Sequence, residues 1–205
     1  MPIILLIRHG ENDYVKKHRL AGRIPGVHLN ANGQKQAQAL AEKLGSAPVK
    51  AIYSSPLERA VETAAPIAQA LGLEIQPRQG LVEVDFGEWQ DQRLKALSRT
   101  KLWKVVQAAP SRMRFPGGEA IVDAQHRICQ ELEAIARGHE PKDMVVCVSH
   151  SDPIKLAVAY FIGLPLDMFQ RLNVAPASIT ALHLGEAGSH LLNLNYEISL
   201  SFPKS

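Results

Sequence analysis

The chain contains only two cysteines, Cys129 and Cys147, in 205 residues. Two cysteines make neither a disulfide framework nor a zinc-ligand spacing. Cys129 falls in a helical pattern and Cys147 in a strand pattern, which predicts two buried small hydrophobes. No apolar run approaches the roughly 18 residues that suggest a bilayer span, so no membrane partner is expected. The N-terminus lacks a basic n-region and a small-residue cleavage site, and its apolar stretch, Ile3 to Ile7, is too short for a signal peptide. A cytoplasmic location is the expectation. A dense Lys/Arg stripe with interleaved aromatics is also missing, so the net charge of +3 is no nucleic-acid footprint. The basic cluster Lys16-Lys17-His18-Arg19 reads by default as a solvated loop. No group of His, Cys, Asp and Glu has metal-ligand spacing, and no cofactor is expected. Internal repeats, low-complexity tracts and linkers are absent as well.

What is present is an ordinary globular balance, 46% hydrophobic and 21% charged, in a length that suits one domain. Strand and helix patterns alternate, so the expected class is α/β: a mostly parallel central sheet flanked by helices. Ile3 to Ile7 and Met144 to Val148 are unbroken apolar runs, the mark of strands buried on both faces. A polar loop, 12–29, follows the first run. Asn30 is placed to cap a helix striped by Ala37, Leu40, Ala41 and Leu44. Ala51-Ile52-Tyr53 predicts a short strand, and Ser55-Pro56 a helix start with the cap before Pro. That helix carries Pro66 inside it and stops at Gly72; Glu74 to Gln76 follows as an edge strand. Residues 90–118 are irregular and partly helical, which predicts a small cap inserted over the site. Ile121 to Ile135 reads as a long helix, Asp152-Pro153 restarts helix, and two late strands form a hairpin around Gly185 to Gly188.

Chemistry concentrates at the ends of the two buried runs. Arg8-His9-Gly10-Glu11 leaves the first, and Ser149-His150-Ser151-Asp152 leaves the second. If both strands are parallel and central, both imidazoles emerge at the same sheet edge, where open α/β sheets bind ligands. A neutral imidazole there can attack phosphorus, and a guanidinium can grip phosphate oxygens in two-pronged fashion. Either histidine alone would read equally well as a structural hydrogen-bonding residue. Arg59 falls in a helix's first turn, where the dipole disfavours a cation unless an anion lies between. Glu83, Asp85 and Glu88 are three carboxylates open to the role of general acid, and residue chemistry leaves the choice open. Arg112 and Arg114, or the Arg19/Arg23 pair, could meet a second anionic group.

These pieces recur in a fixed order: Arg8-His9-Gly10-Glu11, Ser54 to Ala64, Leu81 to Trp89, Pro116-Gly117-Gly118-Glu119 and Val148 to Ile154. Together they resemble the histidine phosphatase superfamily, the phosphoglycerate-mutase-like fold, from Ile3 to about Leu194. The resemblance implies one such domain over residues 1–205, with the cap insertion at about 90–118. It implies that His9 is the nucleophile of a phosphohistidine intermediate, that His150 contacts the transferring group, and that Arg8 and Arg59 clamp it. The L-x-E pattern of the family selects Glu83 as the acid. The loop after the first strand, with Asn12, Arg19, Gly22 and Arg23, would hold substrate, joined by Ser151. Two departures stand out. Asn12, Tyr14 and Val15 replace the common Thr, Trp and Asn, and Val15 offers no side-chain hydrogen bond. Ser151 replaces the usual Gly after the second histidine.

The expected activity is metal-independent hydrolysis of a small phosphate monoester, with a small phosphorylated substrate as partner, neither nucleic acid nor membrane, and a homodimer left open. A phosphoglycerate-type mutase is the nearest rival. A protein-phosphohistidine phosphatase and a non-catalytic phospho-binding protein are the others. The short cap with its Pro-Gly-Gly-Glu element favours hydrolysis, and the presence of Arg8, His9, Arg59, Glu83 and His150 argues against a non-catalytic role.

Overall fold

The computed structural model describes residues 2–185 and 188–198. Among the described residues, six strands form one sheet in the order β3-β2-β4-β1-β5-β6. They are β1 (Ile3–Arg8), β2 (Val49–Ser54), β3 (Ile75–Pro77), β4 (Met144–Ser149), β5 (Ile179–Gly185) and β6 (Gly188–Tyr196). The pairs β3-β2, β2-β4 and β4-β1 are parallel, and β5 and β6 add antiparallel strands at one side. The expected α/β class with a mostly parallel sheet is what the chain adopts. Residues 186–187 of the expected hairpin turn lie outside the described residues.

The central strands β1 and β4 are apolar up to their last residues, Arg8 and Ser149, because each face is covered. Ile4 and Leu6 of β1, with Val145 and Cys147 of β4, enter the larger core under α6 (Ile121–Arg137) and α7 (Ser151–Phe161). Leu5 and Ile7, with Val146 and Val148, enter the smaller core under α2 (Ala31–Leu44) and α3 (Glu58–Leu71). Strand alternation splits these side chains between the two layers. Each fully buried Leu or Ile contributes about 1.5–3 kcal/mol by transfer from water. Both cysteines are buried and free, and burial pushes their thiols upward. No helix among the described residues is long and apolar enough to cross a membrane.

Local chemistry sets the helix ends. The Asn30 side chain accepts from the Gly33 N–H, as its cap position predicts. Gly72 ends α3 in the left-handed conformation at φ 65°. The start of α3 differs from the Ser55-Pro56 expectation. The helix begins at Glu58 after Leu57, with no side-chain cap; the Ser55 hydroxyl accepts from the Leu57 N–H at 3.4 Å, ahead of the helix, and from His150 Nε2 at 2.8 Å. The polar loop after β1 contains a short helix, α1 (Asp13–Lys16), capped by Asn12, whose Oδ1 accepts from Val15 N–H. The insertion holds two helices, α4 (Leu94–Leu97) and α5 (Lys101–Ala108), between 3-10 turns at Gly87–Trp89 and Pro110–Arg112. A further 3-10 segment, Leu166–Arg171, had no clear periodicity to announce it.

Candidate active site

Strand register builds the site. Arg8 pairs with Ser149 across β1 and β4, so the next residues, His9 and His150, leave adjacent parallel strands side by side. Their ring centroids are 5.2 Å apart at an interplanar angle of 61°. The His9 N–H donates to Ser149 O, at 3.0 Å, which fixes the backbone at the point of exit. Gly10 is needed there because a Cβ would come within 2.7 Å of Gly33 O at the start of α2.

Hydrogen bonds select the tautomers. His9 Nδ1 lies 2.7 Å from Gly10 O, and a carbonyl only accepts, so Nδ1 carries the proton and Nε2 keeps its lone pair. Arg59 Nη2 donates to His150 Nδ1 at 3.2 Å, and a guanidinium only donates. His150 therefore carries its proton on Nε2 and donates it to Ser55 Oγ at 2.8 Å. Both rings are held neutral. Burial lowers the His9 pKa well below its usual range, and the Arg59 and Arg8 charges lower it further. His150 is lowered by burial first, then by Arg59 and His9.

The guanidiniums are buried and only partly paired. Arg8 Nη1 donates to Val174 O at 2.7 Å, and Arg59 Nη2 to Gly22 O at 2.7 Å. Arg8 Nε, Arg59 Nε and Nη1, and Asn12 Nδ2 are buried without a protein acceptor. Gly22 presents its carbonyl from a backbone at φ 54°, which glycine adopts without strain. Thr63 ties the two halves together: it accepts from Gly10 N–H at 3.0 Å and donates to Arg59 O at 2.7 Å.

Glu83 completes the cluster. Burial raises its carboxyl to about 7, the Asp152 charge adds to the rise, and the Val84 N–H, Arg59 and Arg8 oppose it. Its segment is pinned by Arg127, which donates to Gly80 O, Val82 O and, at 3.4 Å, Glu83 O, and also pairs with Glu119 at 2.8 Å. Arg8, His9, Arg59 and Glu83 open into a cavity of about 360 Å³ roofed by the insertion. A neutral imidazole with a free nitrogen, two cations with spare donors and a carboxyl poised near neutrality suit phosphoryl transfer.

The chain matches the histidine phosphatase superfamily (branch 1) over residues 4–197. It belongs to that superfamily. Phosphoserine phosphatase 1 of Hydrogenobacter thermophilus is 29% identical over 197 residues, covering 94% of this chain and 91% of the relative. The 2,3-bisphosphoglycerate-dependent phosphoglycerate mutase of Thermoplasma acidophilum is 29% identical over 183 residues, covering 89% and 87%. The crystal structure of a phosphoserine phosphatase variant from Entamoeba histolytica in complex with phosphoserine superimposes with a TM-score of 0.88 at 26% identity, covering 97% of this chain and 98% of that one. Both phosphatases and mutases therefore stand among its superfamily relatives.

The other residues expected at this superfamily site are placed unevenly. Asn12, Arg19, Gly22 and Ser151 line the cavity with Arg8, His9, Arg59 and Glu83. His150 has no exposed surface and does not line the cavity; both its ring nitrogens are engaged behind His9. Arg23 is turned away, its guanidinium donating to Glu83 O at 2.8 Å and pairing with Glu119 at 3.0 Å. Arg19 reaches the wall but pairs with Asp91 at 2.6 Å. Arg112 and Arg114 are exposed and do not line the cavity, and Arg114 pairs with Asp123 at 2.8 Å. Val15 lines the cavity as an apolar wall. Thr63 and Asp152 fell inside quoted motifs but were given no role there, and Arg127 went unmarked. A threonine and an arginine on the inner faces of helices were the available signals, and each is ambiguous without a partner.

Proposed function

We propose that this chain is a metal-independent histidine phosphatase that hydrolyses small phosphate monoesters through a phosphohistidine on His9. The observation that carries the reading is the set of buried N–H groups of Arg8, Arg59 and Asn12 that have no protein acceptor beside the free His9 Nε2. Unsatisfied buried donors are costly, and a phosphoryl group supplies the oxygens that repay them. Two guanidiniums provide the positive charge that a metal supplies in other phosphoryl-transfer sites.

His9 Nε2 attacks phosphorus in line, and the ester P–O bond breaks. Glu83, protonated up to about pH 7, gives its proton to the departing oxygen. The ring becomes cationic on phosphorylation, and Gly10 O receives the Nδ1–H that then bears more positive charge. In the second step Glu83, now ionised, takes a proton from water as the water oxygen attacks phosphorus. The N–P bond breaks and neutral His9 is restored. His150 acts from behind, holding Arg59 through Nδ1.

The test is trapping. Brief incubation with a phosphomonoester, an alkaline quench and peptide mass spectrometry should place the phosphoryl group on His9. Label on any other residue contradicts the mechanism, and loss of activity in EDTA contradicts metal independence. With phosphoglycerates, release of inorganic phosphate supports hydrolysis, whereas isomerised product with no release identifies a mutase.

A further inference from the structure

Above the phosphate-binding end, the cavity wall is made by Phe86, Trp89, Leu94, Trp103, Val106 and Phe115. Four of these are aromatic and form a continuous row. Phe86 and Phe115 meet edge to face at 5.0 Å, Phe115 and Trp89 at 5.3 Å, and Trp89 and Trp103 stack at 6.2 Å. Trp103 and Val106 come from α5, Leu94 from α4 and Phe115 from the segment that follows them, so the insertion supplies four of these six residues.

Among the described residues, and His18 apart, no cationic side chain on this wall is free for an anionic substituent. Arg19 is held by the Asp91 carboxylate and also donates through Nε and Nη2 to Asp91 O, at 3.1 and 2.7 Å. Arg23, Arg112 and Arg114 do not line the cavity. Asp152 adds a carboxylate to the lining, already paired with Lys155 at 2.8 Å. A second charge beside the indole and phenyl rings would therefore meet neutral donors such as Gln107, Ser151 and Gln170 but no unpaired guanidinium or ammonium, and its desolvation would be repaid only in part. An uncharged ring would bury apolar surface and gain edge and face contacts with the aromatic row.

We infer that the preferred substrates are phosphomonoesters of uncharged, apolar, ring-bearing alcohols, and that the aromatic row formed by Phe86, Phe115, Trp89 and Trp103 selects them over phosphorylated amino or hydroxy acids. The inference rests on the phosphatase reading. It separates this chain from the relatives whose names specify phosphoserine.

The experiment compares 2-phenylethyl phosphate with phosphoserine and 3-phosphoglycerate, measuring phosphate release. Phenylethanol is chosen because, as an alkyl alcohol, it is a poor leaving group, so a preference reports recognition and not the easy departure of a phenol. The expected kcat/KM ratio is about tenfold or more in favour of phenylethyl phosphate, the scale on which hydrophobic pockets discriminate. Trp103→Ala should lower that ratio severalfold. Trp103→Arg should lower it further by giving a carboxylate its missing partner. A ratio at or below one would overturn the inference while leaving the phosphatase reading intact. Binding separates the two readings again: benzylphosphonate should be a tighter competitive ligand than the phosphonate analogue of phosphoserine by calorimetry. Failure of both phosphonates to bind, with no release from any ester, would overturn both.

Discussion

The floor and the roof of the cavity are opposite in chemistry. The floor carries His9, Arg59 and Glu83, which are buried, and Arg8, which is half-buried, with hydrogen bonds to Val174 O, Gly10 O and His150 holding Arg8, His9 and Arg59 in place. The roof carries Leu94, Trp103 and Val106 on two short helices of the insertion, joined to the fold by apolar contact and by backbone hydrogen bonds to the loop after β1, Leu94 N–H to His18 O among them. The floor is costly to build: neutral histidines, desolvated guanidiniums and a carboxyl at about 7 each sacrifice stability for reactivity. The roof costs little, since its aromatic residues are stable where they lie. On the proposed function, chemistry therefore resides in the part fixed by strand register. On the substrate inference drawn above, choice of substrate resides in the part that could be rebuilt without moving a strand.

The largest effect should break the floor alone. His9→Ala removes the proposed nucleophile and is expected to reduce kcat by about 10³-fold or more, on the scale seen when catalytic units lose a central member. Circular dichroism should show the fold retained, and no phosphoprotein should accumulate after the alkaline quench. Residual activity close to wild type would remove His9 from the mechanism. Arg59→Lys comes next, at about 10²-fold in kcat/KM, because lysine keeps the charge and can stand in for Nη2, which reaches Gly22 O and His150, but not for the Nε and Nη1 donors that have no protein acceptor. Competitive inhibition by vanadate should weaken with it. Undiminished inhibition would place the anion elsewhere.

Glu83→Gln sharpens the contrast between reactivity and stability. For 2-phenylethyl phosphate, kcat/KM should fall by about 10²-fold, whereas 4-nitrophenyl phosphate, which needs little proton assistance, should lose much less. Equal losses would exclude the acid role. The same substitution should stabilise the fold at neutral pH. The folded Glu83 titrates at about 7 and the unfolded one near 4.5. Above pH 4.5 the unfolded chain releases this proton while the folded one retains it, so stability drains away as pH rises to 7. Glutamine removes that loss, and Tm at pH 7.5 should rise while Tm at pH 4 changes little. The histidines act with the opposite sign: their folded values lie below the unfolded 6.5, so wild-type stability falls as pH drops below 6.5 and the unfolded chain takes up protons alone.

The floor was largely legible in the sequence and the roof was not, for a physical reason. Arg8 and His9 follow an unbroken apolar strand, and strand identity plus parallel pairing is enough to carry His9 and His150 to one edge. The α/β class followed from the same alternation of strands and helices. What stayed hidden depends on partners distant in sequence. Ser55 looked like the helix cap, but its hydroxyl accepts a hydrogen bond from Leu57 N–H, ahead of the helix, and one from His150 Nε2, 95 positions away. Arg23 looked like a substrate contact but is spent on Glu119 and the Glu83 carbonyl. The insertion has short helices with little periodicity, so which of its faces meets the cavity is settled only by packing against Trp89 and Phe115.

The smallest expected effect tests whether the floor is tuned from its rim. Asp152 stands in the first turn of α7, where a carboxylate favours the helix dipole, and its pairing with Lys155 at 2.8 Å offsets part of its charge. What remains of that charge is the second cause of the raised Glu83 carboxyl, after burial. Asp152→Asn should lower the Glu83 value. Because the leaving group needs the protonated acid, the falling limb of kcat/KM should move to lower pH. At pH 7 the loss for 2-phenylethyl phosphate should be about twofold to threefold, on the scale of a fraction of a pKa unit. Activity near pH 5, where Glu83 is protonated in either protein, should match wild type. That pattern distinguishes electrostatic tuning from simple damage, since a misplaced helix would lower activity at both pH values. A profile whose limb stays in place would assign the rise in Glu83 to burial alone and leave Asp152 with the helix end and Lys155.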